Sequence, residues 1–188
     1  GFQAIPAQHS SAALPRLSQA IAADVSFCLH RGVWTGSCDV PTGSFMTLTG
    51  GTSGQPKAIR RSQASWIASF VQNANTFEYA PQDTIAVFGT LSHSLALYGV
   101  IEAMHMGLNA HVLDSLSPAM QRKEINAHGI SILYLTPTQL RLLSSGREVT
   151  ALPSVRLILC GGGALDALSR RAALALFPNA KVHVFYGA

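Results

Sequence analysis

Charge is what this sequence has least of. Only 12% of its 188 residues are Asp, Glu, Lys or Arg, against about 25% in ordinary soluble domains. A chain so poor in charge is a membrane protein, a deeply buried α/β core, or a piece whose surface is covered by further chain. Long apolar runs are also absent, which removes the first reading. A spanning helix needs about 18–20 nearly uninterrupted apolar residues. The richest stretch, Leu91 to Leu113, is broken by His93, Glu102, His105, Asn109 and His111. Basic clusters are missing as well. The net charge is +4, and the only tight pairs are Arg60-Arg61 and Arg170-Arg171. Nucleic-acid binding needs a basic face and is not expected, although a mild positive excess suits an anionic ligand. Cysteine is sparse: Cys28, Cys38 and Cys160 form an odd set without zinc or redox spacing, which reads as reduced thiols of a cytoplasmic protein. No basic stretch followed by an apolar core opens the sequence, so no secretory signal is expected.

Residues 1–43, punctuated by Pro6, Pro15 and Pro41, read as a poorly defined upstream edge with a helix around Leu17 to Leu29. From residue 44 to 188 the pattern is regular. Short apolar strands are expected at Phe45–Thr49, Thr84–Phe88, Ala110–Leu113, Ile130–Leu135, Val155–Leu159 and Val182–Phe185. Between them, helical spacing of apolar residues marks Ser62–Thr76 (Ser62 as N-cap), His93–Met106 (ended by Gly107), Pro118–His128, Pro137–Leu143 and Asp166–Phe177. Strands apolar on both faces, alternating with helices, imply an α/β fold with a largely parallel sheet and helices on both faces. Ligands of such sheets sit at the carboxyl ends of the strands. The loops at Gly50–Lys57, Gly89–His93, Cys160–Leu165 and Tyr186–Ala188 all follow strands, so they are expected to gather on one edge.

The first of these loops has the composition of a polyphosphate cradle. It runs Thr49-Gly50-Gly51-Thr52-Ser53-Gly54-Gln55-Pro56-Lys57. Glycines let backbone N–H groups approach an anion and form a concavity around it. The hydroxyls of Thr49, Thr52 and Ser53 add donors, and Lys57 adds a positive charge. The common P-loop needs Gly-Lys-Ser/Thr, but here Gln55-Pro56 separates Gly54 from Lys57. The dinucleotide fingerprint G-x-G-x-x-G is also absent, which leaves a nicotinamide-dependent oxidoreductase without its motif.

Thr49 through Lys57 resembles the signature loop of the superfamily of acyl-CoA synthetases, peptide-synthetase adenylation domains and luciferases, which reads Ser/Thr-Ser-Gly-Thr/Ser-Thr-Gly-x-Pro-Lys-Gly. Gly50 stands for the second hydroxyl residue, and Ala58 replaces the final Gly. Further segments agree in order. Leu91-Ser92-His93 with Gly99 resembles Pro-x-x-His-x-x-Gly, without the Pro and with the Gly displaced. Cys160-Gly161-Gly162-Gly163-Ala164-Leu165 resembles Ser-Gly-Gly-Ala-Pro-Leu, and Phe185-Tyr186-Gly187-Ala188 resembles the start of Tyr-Gly-x-Thr-Glu.

The resemblance implies part of the N-terminal, AMP-binding domain of an adenylate-forming ligase. It implies that ATP and a carboxylic acid, of fatty or aryl type, give an acyl-adenylate. The acyl group then passes to CoA or to the phosphopantetheine of an acyl carrier protein. Thr49, Gly50, Gly51, Thr52, Ser53, Gly54 and Lys57 would bind the leaving pyrophosphate. His93 would border the carboxylate, Gly161, Gly162 and Gly163 would accommodate adenine and acyl group, and Tyr186 would stack on the base. No metal ligand is picked out within the chain, since the main Mg²⁺ ligand would lie beyond residue 188 with the rest of the catalytic machinery. The 188 residues alone are then expected to be inactive and to expose apolar surface through which they self-associate. The alternative expectation is a non-catalytic nucleotide- or acyl-binding module ending near residue 188.

Overall fold

The computed structural model describes residues 1–48, 57–146 and 150–185. These fold into two sheets that share a core. The smaller sheet contains β1 (Phe2–Pro6), β2 (Ser26–His30), β3 (Ser44–Leu48) and β4 (Ala58–Ser62) in that spatial order. Helix α1 (Ser10–Ala22) connects β1 to β2. Pairing is parallel from β1 through β3 and antiparallel between β3 and β4. The larger sheet is wholly parallel, in the order β6-β5-β7-β8-β9. Its strands are β5 (Thr84–Val87), β6 (Asn109–Val112), β7 (Ile132–Leu135), β8 (Leu157–Gly161) and β9 (Lys181–Phe185). Helix α2 (Gln63–Thr76) leads into this sheet, and α3 (Ser94–Met106), α4 (Pro118–Ala127), α5 (Pro137–Leu143) and α6 (Ala167–Leu176) connect its strands.

The strands of the larger sheet are buried on both faces because successive side chains enter different cores. Ile85, Val87, Ile132, Tyr134, Leu157 and Leu159 face a core completed by α3 and by the smaller sheet through Ile5, Leu29 and Phe45. Ala86, Leu133, Leu135, Ile158 and Cys160 face the opposite core, closed by Ile125 of α4, Leu140 and Leu143 of α5, and Ala173 and Leu176 of α6. Helices therefore cover both faces, as the alternating pattern requires.

Three expectations are corrected. The helix around Leu17 to Leu29 is two elements: α1 ends at Ala22 and the buried β2 begins at Ser26. Asp24, with φ of 50°, turns the chain between them, a conformation that stops a helix. The apolar residues after it, Phe27 and Leu29, belong to a parallel strand and only mimic continued helical spacing. The strand at Phe45 does not join the parallel sheet that follows it; β3 pairs with β2 and β4 instead. Finally, β4 lies where no strand was expected, between the Gly50–Lys57 loop and α2. Its Ala-Ile-Arg-Arg-Ser sequence is exposed on alternate residues, and two adjacent arginines on an edge strand hide the apolar signal.

Candidate functional site

Among the described residues, the end of β3 and the end of β8 both approach the start of α3. Leu48 closes β3 and pairs with Ala58 of β4, so the chain leaves and re-enters the small sheet at one end. Leu48 also bridges to His93 in the parallel sense, and Ser94 Oγ donates a hydrogen bond of 3.2 Å to the Leu48 carbonyl. The exit of β3 is thereby joined to the start of α3. Lys57 is exposed on the re-entry side. Residues Thr49, Gly50, Gly51, Thr52, Ser53 and Gly54 lie outside the described residues, as does Tyr186.

His93 is the N-cap of α3, extended at φ −93° and ψ 136°, and its side chain makes no capping hydrogen bond. Its backbone N–H donates to Thr90 O at 2.9 Å, and its carbonyl accepts from Leu97 N at 3.1 Å. The imidazole is left exposed at the edge. The caps of α2, α4, α5 and α6 differ, since Ser62, Ser117, Thr136 and Asp166 each accept a first-turn N–H through their side chains. First-turn N–H groups without such a cap are donors available to an anion.

Across from His93, β8 delivers Gly161 into a confined position. A Cβ there would stand 2.7 Å from Phe185 Cζ and 3.3 Å from Leu95 Cδ1, so a larger residue would displace the Phe185 ring at the end of β9. Gly162 needs glycine for a different reason, with φ of 85° and its Cβ direction toward Thr136. Gly163 follows, exposed, beside Pro137 at the start of α5. The turn is then locked by Asp166, whose carboxylate accepts from Ser169 N at 2.8 Å and Ser169 Oγ at 2.7 Å. These bonds hold the Asp166 carboxyl below the usual range, with a smaller contribution from Arg141. The structure thus brings His93, Gly161, Gly162 and Gly163 to one edge. Cys160 faces away from it, buried in the opposite core, and burial pushes its thiol up to about 11.

One feature of the site's support escaped the sequence reading. Glu102 of α3 is fully buried. It accepts from Tyr134 OH at 2.5 Å, Asn73 Nδ2 at 2.8 Å and Tyr79 OH at 3.2 Å. Asn73 also donates to Tyr98 OH at 3.1 Å, which meets Ser69 Oγ at 2.6 Å. This network ties α2, α3 and β7 together and sets the rotation of the helix that carries His93. Burial raises the Glu102 carboxyl despite the opposing hydrogen bonds, and burial pushes Tyr98 up to about 12. Gly99 lies one turn earlier on α3, where a Cβ would stand 2.7 Å from Val87 Cγ1 and 2.9 Å from Tyr134 Cδ2. Its place in the sequence pattern is thus accounted for by the close approach of α3 to the sheet. The signal available in the sequence was a lone Glu inside the most apolar helix.

A parallel α/β sheet with glycine turns and an uncapped helix start on its carboxyl edge defines a class, the small-molecule-binding α/β domains whose ligands lie across strand ends. The chain belongs within it to the AMP-binding enzyme family, which it matches over residues 38–188. It is 31% identical over 144 residues to the uncharacterized acyl–CoA ligase YhfT of Bacillus subtilis (strain 168), covering 76% of this chain and 29% of that protein. It is 27% identical over 159 residues to the salicyl-AMP ligase / salicyl-S-ArCP synthetase of Mycobacterium tuberculosis, covering 81% of this chain and 28% of that one. The chain therefore spans under a third of the curated relatives it matches. Among solved structures, the O-succinylbenzoate coenzyme A synthetase MenE from Bacillus subtilis, in complex with AMP, superimposes with a TM-score of 0.67 at 18% identity, covering 92% of this chain and 41% of that one. That likeness establishes a shared fold. Among the described residues no helix is long and apolar enough to cross a membrane.

Proposed function

We propose that this chain supplies the ATP-phosphate and adenine side of an adenylate-forming ligase. The observation that supports the reading most is the joining of the β3 exit to His93, with the Gly161–Gly163 turn on the same edge, in a chain of the AMP-binding family. A carboxylate oxygen of the acid substrate attacks the α-phosphorus of ATP, and pyrophosphate leaves with the electron pair of the broken P–O bond. A thiol then attacks the acyl carbon, and AMP leaves. Such chemistry depends on positioning and on neutralising developing charge.

In this reading Thr49, Gly50, Gly51, Thr52, Ser53 and Gly54 hold the leaving phosphates, with Lys57 as the charge that meets them. His93 and the uncapped start of α3 border the carboxylate. Gly161, Gly162 and Gly163 make room for adenine and acyl group, and Tyr186 stacks on the base. Mg²⁺ bound with the nucleotide would add charge neutralisation on the phosphates. The names of the relatives point to both kinds of acceptor thiol, CoA and the pantetheine of a carrier protein, and to aryl or fatty acids as substrates. The buried thiols of Cys28 and Cys160 and the use of ATP fit a cytoplasmic setting. Exposed Val184 and Phe185 on the outer strand β9 are the surface through which the isolated 188 residues would self-associate.

The test is product trapping. The longer polypeptide containing this chain, given ATP, Mg²⁺ and a panel of fatty and aryl acids, is expected to release pyrophosphate with at least one acid and to yield its hydroxamate when hydroxylamine is added. The 188 residues alone are expected to give neither while retaining weak ATP binding. ATP binding without acid-dependent pyrophosphate release by the longer polypeptide would instead support a non-catalytic binding module.

A further inference from the structure

A second cluster of chemistry-bearing side chains lies on the far side of the large sheet, on elements that contribute nothing to the edge described above. His111 comes from β6, the outermost strand. Glu124 stands in the last turn of α4, and His128 is its C-cap. A spacing of four residues puts Glu124 and His128 on one face of the helix, and the packing of α4 brings that face to β6. Glu124 Oε2 and His128 Nε2 are 3.2 Å apart. The His111 and His128 rings lie with centroids 4.5 Å apart and planes inclined by 35°. One donor atom from each of the three residues falls within 4.8 Å of the other two.

We propose that His111, Glu124 and His128 form a binding site for a borderline divalent transition-metal ion of the Zn²⁺ class, which clips α4 onto the edge strand β6. An ion pair alone accounts for Glu124 and His128, but not for a second imidazole brought to the same carboxylate. Donors bound tetrahedrally at about 2.0 Å stand about 3.3 Å apart. The Glu124–His128 separation already meets that spacing, and small side-chain rotations bring His111 to it. His128 is 48% exposed and Glu124 31%, so an ion reaches them from solvent and keeps water in its fourth position. Two imidazoles and one carboxylate select borderline metals over the hard Mg²⁺, which prefers oxygen ligands and its own hydration shell. The site is therefore distinct in chemistry, as in place, from any metal that accompanies a nucleotide. Its consequence for the fold is local. Among the described residues β6 pairs on one side only, and a metal bridge ties that strand to α4 through groups 13 and 17 residues further along the sequence.

The test is titration of the purified, metal-free protein with Co²⁺, followed by its visible absorption. One equivalent is expected to bind with the intense band of a low-coordinate nitrogen and oxygen site, Zn²⁺ is expected to displace it, and Mg²⁺ is not. His128→Ala and Glu124→Gln, both at the solvent-facing end, are expected to weaken Co²⁺ binding at least about 10-fold. His9→Ala, on an unrelated loop, is expected to leave it unchanged. Glu124→Gln keeps the test valid should His128→Ala fail to fold. Zn²⁺ is also expected to raise the Tm of the unsubstituted protein and not that of His128→Ala. Absence of the cobalt band, or an affinity unchanged in both His128→Ala and Glu124→Gln, would overturn the proposal.

Discussion

Glu102 shows how much depends on one side chain here. Its carboxyl accepts the hydroxyl of Tyr134 on β7, the hydroxyl of Tyr79 in the link from α2 to β5, and an amide N–H of Asn73 on α2, all beside an apolar layer. Glu102→Ala would leave Tyr134 and Asn73 without that acceptor and open a cavity. A loss of about 2–4 kcal/mol is expected in urea unfolding. The pH dependence has a definite sign. Burial raises the folded-state value above the ordinary 4.5, so the stability associated with this group is full below 4.5 and is lost as pH rises through the folded value. Glu102→Gln, which cannot ionise, is expected to flatten that decline; a decline that persists unchanged in the variant would assign it elsewhere. Asp83 behaves in the opposite sense. Burial raises its carboxyl, but hydrogen bonds from Arg156, Ala80 and Ser131 outweigh that and hold it below 3.8. Its contribution is present above 3.8 and is lost as pH falls through the folded value. Gly161 makes a steric prediction. With Phe185 Cζ 2.7 Å from the position of an added Cβ, Gly161→Ala is expected to cost about 1–3 kcal/mol, read as a lower urea midpoint, and Phe185→Leu in the same chain is expected to recover part of it.

Elements differ in how far the sequence reveals them. Helices α2, α4, α5 and α6 are legible because each start carries Ser, Thr or Asp followed by apolar residues at helical spacing, and α5 adds a capping box between Thr136 and Gln139. The strands of the large sheet are legible because burial on both faces leaves runs such as Ile132-Leu133-Tyr134-Leu135. The start of the chain is not legible, since Val25 to Leu29 continues the apolar spacing of α1 across a turn made by Asp24. The edge strand β4 is hidden by Arg60 and Arg61. Of the site, the glycine turn and His93 could be found from their order along the chain. The Glu102 network could not, because it joins residues 69, 73, 79, 98, 102 and 134 through tertiary packing alone. At the opposite, amino end of the strands, Arg156 of the loop before β8 bonds the Phe77 and Glu78 carbonyls at 2.9 and 3.1 Å and pairs with Asp83. That clamp fixes the link from α2 to β5. Arg156→Ala leaves the buried Asp83 without its cation and is expected to cost about 2–4 kcal/mol, measured as a shift in the unfolding midpoint; a loss below about 0.5 kcal/mol would mean that solvent takes over the role of the arginine.

At the scale of the molecule, two sheets meet through α3, and the proposed site lies where they meet. The small sheet presents the exit of β3, the large sheet presents the turn after β8, and the start of α3 touches both through Leu48 and Gly161. Residues 1–43 contribute β1 and β2 to the same sheet as β3 and β4. Ser94→Ala, which removes the hydrogen bond from α3 to the Leu48 carbonyl, is expected to cost about 0.5–1.5 kcal/mol of stability and to lower adenylate formation more than the stability change explains. The most direct test of the central claim is ATP–pyrophosphate exchange by the longer polypeptide, comparing Lys57→Ala with the unsubstituted protein at matched circular dichroism. The account predicts acid-dependent exchange that falls about 100- to 1,000-fold in the variant, and exchange that is unchanged by Lys57→Ala would contradict it.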